Sequence, residues 1–263
     1  MTIVLITVFA YLAATGLLVL DLRRDGLQGL RPWWWLATTA CLLHAGRHLL
    51  TWQASGATDM HFFAALSLVG LGMAALTTLF GIRGRMAALG VVVFPIAAAT
   101  LVGSGMYAPH SSEVLDWRLQ LHAWLALLAY ATLAIAALLA IMLWLQERAL
   151  RRRQVQGWLR ALPPLVELET LLFRSITVGF VLLTATLLTG VLFVEDLLAQ
   201  HLLHKTVLSL LSWLVFGGLL AGRLAWGWRG TKAVHWTLVA MALLILAFFG
   251  SKAVLELVLQ RAG

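Results

Sequence analysis

The hydrophobic positions of this chain fall into eight long blocks, at 2–20, 33–52, 61–81, 86–105, 119–146, 168–193, 204–225 and 233–258, separated by shorter polar connections. An α-helix needs ~20 predominantly apolar residues to cross the hydrocarbon layer of a bilayer. Each block has about that length, so the pattern predicts about eight transmembrane helices. A transmembrane barrel would instead alternate apolar and polar residues along short strands, whereas 133–145 is apolar on every side. The expected fold class is all-α: a polytopic membrane helix bundle, with residues 1–263 forming a single integral membrane domain. No basic segment precedes the first block, which leads straight into the second, so it reads as a retained helix rather than a cleaved leader.

Composition agrees, since 62% hydrophobic and 11% charged residues leave too little polar surface for a soluble globule. The distribution of charge adds an orientation. Four connections are basic, carrying Arg23, Arg24 and Arg31; Arg83 and Arg85; Arg148, Arg151, Arg152, Arg153 and Arg160; and Arg223, Arg229 and Lys232. The others carry mainly Asp59, Glu113, Asp116, Glu195 and Asp196. Short loops rich in Lys and Arg stay cytoplasmic, so both termini are expected to face outward. Topology thus accounts for the net charge of +8 without a nucleic-acid partner. The partner it implies is the lipid bilayer, with the arginines of 148–164 resting against anionic inner-leaflet lipid. Trp33, Trp34, Trp35, Trp226 and Trp228 stand where aromatic belts form, and the pairs Gly70 with Gly72 and Gly217 with Gly218 where helices approach closely.

Several chemistries lack residues. The single Cys41 allows no intramolecular disulfide, thiolate cluster or C-x-x-C-H haem attachment, and no Walker A loop, G-x-G-x-x-G or H-E-x-x-H is present. What remains is a set of histidines at membrane depth, where ionisable groups are costly and usually line a site. His44, Arg47 and His48 share one stripe of the second helix by their i, i+3, i+4 spacing. At 1.5 Å per residue His44 sits ~16 Å and His48 ~22 Å from the inner boundary, and His122 ~25 Å, near the start of the inward-running fifth helix. Haem suits this inventory. Neutral imidazole is a standard axial ligand, apolar helix faces accept the macrocycle, and Arg47 can pair with a propionate. Such a haem would be b-type and non-covalent. Depth alone pairs His122 with His48. A zinc or copper ion on His44 and His48 would lack a carboxylate ligand. The competing reading is a multi-spanning transporter or regulatory subunit whose histidines are structural; against a transporter, matched short spans interrupted by Gly or Pro are missing. Lys252 and Glu256, one turn apart, read as an interfacial ion pair before a proton or ion pathway.

The string "LHAWLALLAYATLAIAALLAIMLWLQERALRRR", with His122 and Tyr130, and the later "SWLVF" and "GWRG" resemble the CcsA-like cytochrome c assembly protein family. The eight-span layout, with "CLLHAGRH" early and "FFGSKAVLE" late, is most similar to its YpjD and HemX-like inner-membrane branch. The resemblance implies a bacterial inner-membrane protein that handles haem during cytochrome c maturation, beside other maturation proteins. It implies His122 as the outward-facing ligand, and it favours His44 over His48 as the opposite axial ligand, leaving His48 and Arg47 near the propionates. The sequence also departs from the family. The connection "FVEDLLAQHLLHK" has no tryptophan where haem-presenting members are tryptophan-rich, Ala221 stands near a position where they carry histidine, and no histidine follows Gly250. Haem handling or delivery without complete cytochrome c synthase chemistry is therefore expected. His201 and His204, in the altered connection, are either substitute ligands or solvated.

Overall fold

A computed structural model describes residues 1–23, 31–55, 60–81, 86–106, 116–152, 163–193 and 200–250. They form eight helices: α1 (Thr2–Arg23), α2 (Pro32–Ser55), α3 (Phe62–Gly81), α4 (Gly90–Met106), α5 (Trp117–Arg151), α6 (Leu165–Phe193), α7 (Gln200–Trp226) and α8 (Thr231–Ile245). There is no strand among the described residues, and the bundle is all-α as expected. Seven of the helices are apolar and long enough to span a membrane. The eighth, α2, has 24 residues, ~36 Å of helix, but its stripe of His44, Arg47 and His48 lowers its hydropathy. The α8 helix widens at its end into a π-turn, Leu246–Gly250. Residues 251–258 of the last block, with Lys252 and Glu256, lie outside the described residues.

The chain divides into two compact units, the first Met1–Leu115 with Val155–Pro163, the second Asp116–Gln154 with Pro164–Gly263. In the first, α1 packs on α2 and α4, and α3 packs on α4 and α2. Tyr11, Leu18, Trp33, Phe94 and Leu101 fill its interior, with Tyr11 stacked on Phe94 at 6.0 Å between ring centroids. Gly70 is needed here, because a Cβ would collide with Thr100 across the α3–α4 contact. The tryptophans at the start of α2 do not all form a belt. Trp35 is exposed, Trp34 donates Nε1–H to the Thr78 carbonyl at 3.0 Å, and Trp33 is buried against Gly81.

In the second unit α5 and α6 make the longest interface. Asp116 caps α5 by accepting from the Trp117 N–H at 2.8 Å. Gly179 on α6 lets the two backbones approach, since its Cβ would fall 2.5 Å from Leu133 Cδ2. Three side chains then tie the remaining helices. Tyr130 donates to the Leu244 carbonyl at 2.5 Å, Ser212 to the Ala240 carbonyl at 2.8 Å, and Trp213 Nε1 to Thr184 Oγ1 at 2.8 Å. The most specific pieces of the sequence pattern, Tyr130 and the "SWLVF" segment, therefore act as helix-to-helix fasteners. At the other end, Glu169 is buried and accepts from Arg223 at 2.7 Å and from Arg229 at 2.8, 3.1 and 3.0 Å. That bond raises the Arg229 pKa above its ordinary value and keeps the guanidinium charged. The turn between α7 and α8 uses Gly227 and Gly230 at positive φ, +63° and +56°, conformations that side chains disfavour.

Candidate functional site

The expected site residues fall in both units. In the first, the stripe on α2 faces inward as its spacing requires. His44 is fully buried, and its ring lies 5.4 Å from that of His48, nearly parallel at 25°. Both nitrogens of His44 are engaged: Nδ1 lies 3.2 Å from the Tyr11 hydroxyl, and Nε2 lies 2.8 Å from Ser67 Oγ. The same Ser67 oxygen lies 3.0 Å from His48 Nε2. Tyr11 and Ser67 are themselves fully buried, so α1, α2 and α3 are joined by one polar chain inside an apolar unit. The Tyr11 hydroxyl also reaches the sulfur of Cys41 at 3.6 Å. Arg47 turns the other way, donating Nη1–H to Ser104 Oγ at 3.2 Å and Nη2–H to the Ser104 carbonyl at 3.4 Å. It lines an open cavity of about 660 Å³ together with Ile3, Val4 and Leu50.

In the second unit His122 is half-buried on α5 and lines a cavity of about 210 Å³ with Tyr130, Thr186, Lys205, Ser209 and Phe248. The walls are mostly apolar, with no carboxylate among the described residues that line them. Gly190 on α6 makes room for the ring, because a Cβ there would lie 3.2 Å from His122 Cε1. Thr189, one residue earlier, lies 3.2 Å from His122 Nδ1. Its hydroxyl proton is directed at the Ala185 and Thr186 carbonyls, 2.9 and 3.0 Å away. With that proton on a backbone carbonyl, the Thr189 oxygen faces Nδ1 as an acceptor, an arrangement that suits an imidazole with its hydrogen on Nδ1 and a lone pair on Nε2, the form that ligates iron. Nε2 has no hydrogen-bond partner among the described residues.

The two histidines expected as axial ligands, His44 and His122, thus belong to different units and differ in chemistry. His204 is exposed on α7, and it is the next residue, Lys205, that lines the His122 cavity. The side chain of His201 lies outside the described residues. Tyr11, Ser67, Ser104, Thr189, Lys205 and Glu169 belong to no motif in the sequence, and of these only Tyr11, one of three tyrosines in the chain, carries a signal by its rarity.

The apolar cavity beside His122 sits within a longer pattern. The family described as "Cytochrome C assembly protein" matches residues 33–259. The chain belongs to the cytochrome c assembly protein family. It is 33% identical over 196 residues to "Inner membrane protein YpjD" of Escherichia coli strain K12, which covers 73% of each chain. It is 36% identical over 143 residues to the "Uncharacterized 28.8 kDa protein in nifR3-like 5'region" of Azospirillum brasilense, covering 54% of this chain and 53% of that one. With "Cytochrome c biogenesis protein CcsA" of Prochlorococcus marinus strain NATL1A the identity is 31% over 86 residues, 32% of this chain and 27% of that protein. No solved structure matches the chain. Its apolar helices of membrane-spanning length, with its likeness to inner-membrane proteins, make this member of the cytochrome c assembly protein family a multi-pass inner-membrane protein.

Proposed function

We propose that this chain handles haem in cytochrome c biogenesis, holding it non-covalently as a b-type group with His122 as an axial ligand. The observation that carries the reading is the His122 cavity. Its donor set fits haem: Nδ1 is tied by Thr189, Nε2 offers a lone pair, the walls are apolar, and Lys205 is the one cation among the lining residues. At about 210 Å³ it is smaller than the ~300–1,000 Å³ typical of ligand pockets, so it takes one edge of a macrocycle and leaves the rest against lipid. Bound haem supplies the iron porphyrin that a cytochrome carries. The protein's own part is to present one imidazole in a fixed tautomer, to exclude water with Phe248, Leu183 and Leu187, and to neutralise a propionate with Lys205.

The α2 histidines enter this reading with a cost. Ligation by His44 requires breaking its bond to Ser67 or to Tyr11, which favours a structural role for His44 and leaves the half-buried His48 and Arg47 as the more accessible groups of that stripe. The proposed orientation has both termini outside and 148–160 in the cytoplasm, which puts His122 toward the outer face. Other cytochrome c maturation proteins are its proposed partners.

The test is a pyridine haemochrome assay and Soret titration on protein purified in mild detergent, for the parent, His122→Ala, His44→Met and His48→Met. Loss of haem in the His122 variant, with unchanged elution and helicity, is expected. A colourless parent that is unaffected by added haemin defeats the proposal. Reporter fusions at Gln154 and Gly263 check the orientation and should report opposite sides.

A further inference from the structure

The end of the second unit away from His122 carries a groove that haem handling does not use. Two adjoining cavities, of about 430 and 320 Å³, share Glu147, Arg151 and Thr231. They lie where α5 ends, α6 begins and α7 turns into α8. This is the membrane-boundary end of the unit: Trp226, Trp228 and Trp236 stack in series at 5.7 and 6.3 Å, and Arg148 lies over the Trp144 ring at 5.3 Å.

The charges in the groove are of two kinds. Glu169 is fully used, its carboxylate accepting from Arg223 and Arg229. Glu147 is not. Its Oε1 rests against Gly230, only 2.8 Å from where a Cβ would be, so the carboxylate is held at the start of α8 by a residue that has no side chain. Its Oε2 is buried from water and has no hydrogen-bond partner among the described residues. A buried carboxylate oxygen without a donor is costly, and native proteins rarely leave one unless a ligand or water satisfies it. Arg148, Arg151 and Arg152 are exposed at the rim within about one and a half turns of Glu147. Beyond them Val166 turns a side chain that is 66% exposed toward the outside of the bundle.

A half-buried carboxylate whose inner oxygen wants an N–H donor, a rim of guanidinium groups that wants phosphate, and an apolar flank at the bilayer surface together describe one class of molecule. We propose that this groove binds the head group of a phospholipid bearing a primary ammonium, with the ammonium on Glu147 and the phosphate on Arg151. The choice of ammonium is chemical. A phosphoethanolamine head carries three N–H donors, a phosphocholine head carries none, and a phosphoglycerol head carries no cation to meet Glu147.

The experiment offers the purified full chain dioleoyl-phosphatidylethanolamine, its N-methylated series up to phosphatidylcholine, phosphatidylglycerol, and free glycerophosphoethanolamine, and reads lipid retained by native mass spectrometry. Ethanolamine lipid should be retained about tenfold over choline lipid, a difference of ~1.4 kcal/mol, and retention should fall stepwise with methylation. Glu147→Gln should abolish that preference while keeping phosphatidylglycerol, and Arg151→Gln should weaken every phospholipid. Equal retention of ethanolamine and choline lipids, or an unchanged preference in Glu147→Gln, overturns the proposal. So does competition by glycerophosphoethanolamine as strong as that of the lipid, which would make the groove a site for a soluble phosphate. If Glu147→Gln does not fold, the methylation series on the parent decides alone.

Discussion

Replacing Thr189 by valine isolates the part of the His122 site that sets its chemistry. Valine keeps the shape of threonine and replaces only the hydroxyl that faces His122 Nδ1 at 3.2 Å. Partners that orient a ligating imidazole typically change metal affinity by about 10–100-fold when removed. The contact is a single one at 3.2 Å, so the lower figure applies. The expected result is a weakening of haemin binding of about tenfold, or ~1.4 kcal/mol, with the ring freer to adopt the other tautomer. A Soret titration of detergent-solubilised protein measures it directly, with Thr189→Ser as the control that should match the parent. A Thr189→Val protein that is folded, binds haemin with parental affinity and still depends on His122 would show that Thr189 does not orient the ring.

Other substitutions test the frame. Gly179→Ala places a Cβ 2.5 Å from Leu133 Cδ2 and should destabilise the second unit by about 1–3 kcal/mol in thermal unfolding, whereas Gly218→Ala, with nothing within 4 Å, should be neutral. Glu169→Gln leaves Arg223 and Arg229 without their countercharge; because those side chains are 31% and 55% exposed, solvent softens the loss to about 1–2 kcal/mol. Its effect should not add to that of Arg229→Ala, which a double-mutant cycle on the same unfolding assay will show. Ser67→Ala removes a partner from both α2 histidines and should cost about 1–3 kcal/mol in the melting of the first unit, followed by fluorescence of its tryptophans.

The helices were legible because a bilayer imposes length and apolarity on each span separately, which is information a single sequence holds. Predicted 168–193 is observed as Leu165–Phe193, and predicted 204–225 as Gln200–Trp226. The α5 helix runs past its apolar block to Arg151, since arginines can stay helical at the boundary without being buried. The stripe of His44, Arg47 and His48 was legible for the same local reason, as spacing within one helix fixes a shared face. What those residues meet was not. Ser67, Tyr11 and Ser104 lie on other helices, and nothing in one sequence says which helices touch. The same gap explains the glycines. Gly70 and Gly217 do face close neighbours, Thr100 and Phe180, but the tight contacts at Gly179 and Gly222 come from isolated residues whose partners, Leu133 and Trp228, are remote or in a turn. At the start of α7 a single position separates the candidate His204 from the cavity wall, where 100° of helical rotation puts Lys205.

Ser67 imposes a rule of proton counting on the two histidines it joins. One hydroxyl proton faces two ring nitrogens, at 2.8 and 3.0 Å, so the oxygen donates to one ring at most and accepts from at least one. At least one of the two neutral rings therefore carries its hydrogen on Nε2, and exchanging which ring does so takes a ring proton moving between Nδ1 and Nε2 as well as a turn of the hydroxyl. Nitrogen-15 NMR of a histidine-labelled sample should find at least one ring of this pair in the Nε2–H form. As long as the serine keeps both bonds, no arrangement leaves both Nε2 atoms deprotonated together, which guards the pair against simultaneous capture by a stray metal ion.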